Sequence, residues 1–157
     1  MSENNAASSS ATNADELELA TMRMIDAPRE LVFKAWTLPE HLSQWWGPKG
    51  FTNTFQEFDL RPGGTWEFIM HGPDGVDYRN KCVFGEIVEP ERIVLQHVSG
   101  PRFQVTANFE DIAGKTRLTF RQRFETAVEF ERAKTYAIEG NEQNMDRLEA
   151  LLAKLSA

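Results

Sequence analysis

Between Asp26 and Arg92, two short amphipathic helix signals, a Trp45-Trp46-Gly47-Pro48 corner and three strand signals succeed one another with almost no spacer. A long helical pattern closes the chain from about Val128. That order predicts a sheet wrapped around a helix.

Leu17, Leu19, Thr21, Arg23 and Ile25 alternate with Glu18, Ala20, Met22 and Met24, the period-2 pattern of a first strand. Pro28 opens a short helix whose apolar face is Leu31, Val32, Ala35 and Trp36. Pro39 and Glu40 restart a second, carrying Leu42, Trp45 and Trp46, and Gly47-Pro48 ends it. Strand signals follow at Phe51 to Leu60, Thr65 to His71, Tyr78 to Val88, Ile93 to Val98, Phe103 to Ile112 and Lys115 to Phe124. Turn residues separate them, among them Arg61-Pro62-Gly63-Gly64 and Gly72-Pro73-Asp74-Gly75. After Val128 the period changes. Phe130, Ala133, Ala137, Gly140, Asn144, Leu148, Leu151, Leu152 and Leu155 share one stripe. The expected class is α+β: a curved, seven-stranded antiparallel sheet around a long C-terminal helix, with two short helices after strand 1.

Composition narrows the function. With 24 acidic and 17 basic residues the formal charge is −7, and no Lys/Arg cluster offsets it, so nucleic acid is not an expected partner. No apolar run approaches the ~18 residues needed to span a bilayer, and residues 1–16 lack a signal-peptide pattern; no membrane insertion and a cytoplasmic location are expected. The single Cys82 cannot form an intramolecular disulfide. Residues 1–15, rich in Ser, Asn and Ala, offer little to bury and read as a disordered polar tail, leaving one domain over 16–157.

Any space between sheet and helix is a pocket. Strand phase turns Trp66, Phe68, Met70, Phe84, Phe103 and Phe124 toward it, and the helix adds Tyr136 and Gly140. Tyr78 and Asn80 share the phase of Phe84, His97 shares that of Ile93 and Leu95, and Gln122 lies between Phe120 and Phe124. Inward amides and imidazoles need partners, because leaving such a group unpaired costs about 1–3 kcal/mol. Three of them beside an apolar space suggest a ligand site with a few orienting contacts. A buried water network is the alternative use of the same groups. His41, His71 and His97 are scattered and have no metal-ligand spacing, so neither a metal nor a cofactor is expected. No catalytic residue is assigned. Acid–base work by Glu67, Glu86 or His97 is the enzymatic alternative.

Several segments carry a resemblance: Ala27-Pro28-Arg29-Glu30-Leu31-Val32-Phe33-Lys34-Ala35-Trp36-Thr37, Pro39-Glu40-His41-Leu42 leading to Trp45-Trp46-Gly47-Pro48, Asp59-Leu60-Arg61-Pro62-Gly63-Gly64, Gly72-Pro73-Asp74-Gly75 and Glu86-Ile87-Val88-Glu89-Pro90-Glu91-Arg92. Together they resemble the activator of heat-shock protein 90 ATPase homologue family, over about residues 17 to 155. The resemblance implies the helix-grip fold of the START-like, birch-pollen-allergen-like superfamily. Members of the family often place Trp after the Gly of the last helix, where this chain has Gly140-Asn141. The expected function is non-enzymatic binding of a small lipophilic or aromatic molecule. The resemblance also implies two alternatives, a co-chaperone-type interaction module with a chaperone partner and a cyclase or dehydratase. An open sheet edge leaves both monomer and homodimer open.

Overall fold

The computed structural model describes residues 8–156. Strands β1 (Ser8–Asn13) and β2 (Glu18–Ile25) precede helices α1 (Arg29–Thr37) and α2 (Pro39–Trp45). Then come β3 (Thr52–Phe58), β4 (Thr65–His71), β5 (Asp77–Val88), β6 (Arg92–His97), β7 (Phe103–Ile112) and β8 (Lys115–Phe124), and finally α3 (Ala127–Ser156). The eight strands form one antiparallel sheet in the order β1-β2-β8-β7-β6-β5-β4-β3. It curves around α3, the helix-grip arrangement expected.

The strand count is eight rather than seven. The extra strand lies in the segment expected to be a disordered tail, of which residues 1–7 fall outside the described residues. Ser8–Asn13 pairs with Arg23–Glu18 of β2, so its backbone is satisfied by a ladder that asks for no apolar side chain. The Ser8 and Ser10 hydroxyls each donate to the Glu142 carboxylate on α3, both at 2.6 Å.

Glu142 belongs to a larger knot. Arg23, inward on β2 and 7% exposed, donates to Glu142, Asp146 and Glu149, carboxylates a turn apart along α3. Helix α3 itself starts on a side-chain N-cap, in which the Thr126 hydroxyl accepts from the Glu129 N–H while donating to the Glu129 carboxylate.

The core divides in two. The larger part holds α1, α2 and the middle of the sheet, with Trp36, Trp45 and Trp46 meeting edge to face and Trp66 stacked on Phe68 at 4.2 Å. The smaller gathers Leu19, Phe124, Phe130, Ala133 and Ala137 near the start of α3.

The Trp46-Gly47-Pro48 corner is tied to α3 by hydrogen bonds. Gly47 has φ +101°, a left-handed conformation suited to glycine, and a Cβ there would lie 2.7 Å from Met70 Cε. Its N–H donates to Asn144 Oδ1. The Arg147 guanidinium donates to the carbonyls of Gln44, Trp46, Gly47, Pro48 and Phe51. Arg147 turns to the corner because the last carbonyls of α2 and the turn beyond need donors.

Candidate functional site: a cavity between the sheet and the long helix

A cavity of ≈ 530 Å³ lies beside the smaller core, where α3 crosses β8, β7 and the ends of β4 and β5. Helix α3 presents small residues here, Ala133, Ala137 and Gly140. A Cβ added at Gly140 would meet nothing nearer than Pro48 Cγ at 3.9 Å. Phe103 and Phe124 line the sheet side, and Met70, Phe51 and Pro48 line the corner side. Tyr78 and Tyr136, 44% and 61% exposed, stand at the mouth.

Nine of the residues expected at the site surround this space. Met70, Phe103, Phe124 and Gly140 form apolar wall, Tyr78 and Tyr136 rim, and Asn80, His97 and Gln122 polar wall. Trp66, Phe68 and Phe84 do not line it. They lie in the larger aromatic core, at most 4% exposed, with Phe84 edge to face on Phe58. Strand phase is the same for both groups; position along the strand separates them.

The polar wall has two parts. His97 is 7% exposed and stacks on Phe103 at 4.6 Å. Its Nδ1 faces the Pro101 carbonyl and its Nε2 faces Asn80 Oδ1, both at 2.7 Å, while Asn80 Nδ2 donates to the Tyr78 carbonyl. A neutral imidazole can donate to one of these oxygens and an imidazolium to both. Burial nevertheless pushes the His97 pKa below its ordinary value, against the pull of the Pro101 and Ser99 backbone. Asn80 and His97 are therefore engaged with each other and with the 97–101 loop. On the opposite side Asn141 Nδ2 donates to Gln122 Oε1 at 2.8 Å. Sequence reasoning gave Asn141 no site role, although its place four residues after Ala137 is a helical-stripe signal.

Of the groups expected to serve acid–base chemistry, His97 lines the cavity, while Glu67 and Glu86 lie elsewhere. Glu86 is on the surface, where its hydrogen bonds from Arg92 hold its pKa below the ordinary carboxylate value. Glu67 is not part of the lining. His71 bridges Thr54 Oγ1 at 2.7 Å and Asp77 Oδ1 at 2.8 Å on an exposed surface away from the cavity. Burial pushes the Cys82 thiol up to about 12. Among the described residues no group of three or more His, Cys, Asp or Glu is placed to hold a metal, and no helix is long and apolar enough to cross a membrane.

The family model described as Activator of Hsp90 ATPase homolog 1-like protein matches residues 26–153, from the turn before α1 almost to the end of α3. The chain belongs to this family. Similar solved structures bear out the helix grip in this Activator of Hsp90 ATPase homolog 1-like chain. A solution structure of a protein from Arthrobacter aurescens superposes with TM-score 0.87 at 23% identity, over 93% of this chain and 91% of that one. A crystal structure of a Mycobacterium smegmatis protein gives 0.82 at 24% identity, over 92% and 95%. One from Nitrosomonas europaea gives 0.83 at 26%, over 90% and 97%. Comparison with curated proteins gives no match. The cavity of this family member is framed by segments inside the matched range, the corner after α2 and the middle of α3.

Proposed function

We propose that this protein is a non-enzymatic, cytoplasmic carrier or sensor that encloses a small lipophilic or aromatic molecule between β8 and α3. The observation that carries this reading is the cavity itself. Its ≈ 530 Å³ falls within the roughly 300–1,000 Å³ of small-molecule sites, and its walls are largely apolar with a few polar groups on two sides. Phe103, Phe124 and Met70 would supply the apolar and stacking contacts.

Native mass spectrometry of freshly purified protein, compared under gentle and denaturing conditions, tests it. A reproducible extra mass of a few hundred daltons per chain, absent from a folded Ala137→Phe variant, is the expected result. Apo protein whose melting temperature no lipophilic or aromatic compound shifts would refute it.

A second reading, a surface module acting on a chaperone, is favoured by the description of the matching family. It requires no ligand. It predicts that a heat-shock protein 90 homologue is retained on the immobilised protein and that filling the cavity leaves this retention unchanged.

A further inference from the structure

Three carboxamides meet on one side of the cavity: Gln122 from β8, and Asn141 and Asn144 from α3, at 8%, 8% and 5% exposure. Each is half used. Asn141 and Gln122 bond to each other, and Asn144 Oδ1 accepts from the Gly47 N–H. The other halves, Gln122 Nε2, Asn141 Oδ1 and Asn144 Nδ2, have no hydrogen-bond partner among the described residues, yet none is sealed from solvent as the indole nitrogens of Trp36 and Trp66 are. This inventory does not depend on amide orientation. A backbone N–H can only donate, so Asn144 must turn its oxygen to Gly47 and leave its NH₂ over. Turning the Gln122–Asn141 pair end for end still leaves one NH₂ and one carbonyl.

The remaining lining adds nothing comparable. Asn80 and His97 are committed to each other and to backbone. No carboxylate lines the cavity, and the lining's one guanidinium, Arg79, belongs to an exposed residue. The deep polar chemistry of the site is therefore uncharged, with two donor groups and one acceptor.

Building on the ligand-binding reading, we infer that Gln122, Asn141 and Asn144 form the recognition subsite for the ligand's polar end. They select an uncharged group that places a carbonyl oxygen beside an N–H or O–H, as a primary amide or a hydroxy ketone does. Such a group accepts from the two NH₂ groups and donates to the remaining carbonyl. An apolar end would displace water from all three amides and leave them unpaired, and an ionised carboxylate would meet the acceptor with no buried cation to offset its desolvation.

The test uses 2-naphthamide, 2-ethylnaphthalene and 2-naphthoate, three probes of similar size, with affinities measured by calorimetry on the wild type and on a Gln122→Met/Asn141→Leu variant. In the wild type naphthamide is expected to bind at least about ten-fold tighter than naphthoate. In the variant the ratio of naphthamide to ethylnaphthalene affinity falls by about ten-fold or more, because two of the three partners are gone while the apolar walls remain. A readout that does not need the variant is the side-chain NH₂ resonances of Gln122 and Asn144 in the wild type, which should move with naphthamide and stay put with ethylnaphthalene. Ethylnaphthalene binding with an unchanged ratio, or with the same amide shifts for both probes, overturns the subsite and leaves the ligand pocket standing. No binding of any probe, with no resonance moved, overturns both.

Discussion

Gly140 occupies the middle of a 30-residue helix, where glycine is the second-worst residue available. Gly140→Ala separates a helix defect from a packing requirement. Alanine is favoured over glycine in a helix interior by about 0.8–1.0 kcal/mol. This gain survives only if the new methyl has room. It does: the nearest atoms are Pro48 Cγ at 3.9 Å and Cβ at 4.0 Å, ordinary contact distances, so no backbone shift is required. The variant should therefore be more stable by about 1 kcal/mol, which for a domain of this size raises the melting temperature by roughly 2–4 °C. Thermal and urea unfolding followed by circular dichroism measure it. The methyl takes little of a ≈ 530 Å³ cavity, so ligand mass should persist in Gly140→Ala and be lost in Gly140→Leu, whose side chain enters the space between α3 and Pro48. A lower melting temperature for Gly140→Ala would refute the reasoning, because it would mean that α3 and the corner pack against each other more closely than these distances allow.

Other expectations follow from single groups. Arg147→Met should cost about 2–3 kcal/mol in urea unfolding, since several carbonyls lose a charged donor together, and Arg147→Lys should recover only part of it because one ammonium cannot span them. Full recovery by Lys would show that charge alone holds the corner. Burial would raise the Glu142 pKa, but hydrogen bonds from Ser10, Ser8 and Arg23 outweigh it and hold the carboxyl below its ordinary value. A carboxyl depressed in the folded state stabilises above its unfolded pKa of about 4.3, and that stability is lost as pH falls through the folded value. A Ser8→Ala/Ser10→Ala variant should thus be about 1 kcal/mol less stable than wild type at pH 7, and the gap should shrink below about pH 4.3. A gap independent of pH would remove Glu142 from the account. Cys82 should not react with a disulfide reagent at pH 8 until the protein unfolds, and fast labelling of native protein would contradict the packing of β5.

Most of the fold was legible because its elements advertise their own period. The limits of β4, β7 and β8 coincide with the apolar alternation and turn residues that bound them. The start of α3 was legible too, through the change of period near Val128, one residue inside the observed start at Ala127. β1 was not. Ser8–Asn13 has one strand-forming side chain, Thr12, and no apolar face, and its partners are the open edge of β2 and a carboxylate 134 residues away. The site was legible by phase alone. Alternation turned Asn80, His97 and Gln122 inward, but it carries no information on depth, so Trp66, Phe68 and Phe84 shared that phase while lying in the closed half of the grip. Nor could it show that His97 and Asn80 satisfy each other across strands, which moves the unpartnered polar groups to Gln122, Asn141 and Asn144.

A space of this size between a sheet and a helix would ordinarily be closed by a larger side chain or by collapse, since an unfilled void forfeits contacts on every wall. Two features keep it open here. The helix wall is built from Ala133, Ala137 and Gly140, and filling the gap from that side would need a change of residue rather than of rotamer. The opposite wall, Pro48 and Phe51, is held by the Arg147 and Asn144 hydrogen bonds to the corner and needs no packing across the cavity to stay in place. The amides on the inner side let water occupy the space at little cost when it holds no ligand. An apolar molecule with a matching polar end would then restore the missing contacts while keeping the amides paired, which makes the void a source of binding energy as much as a deficit in folding.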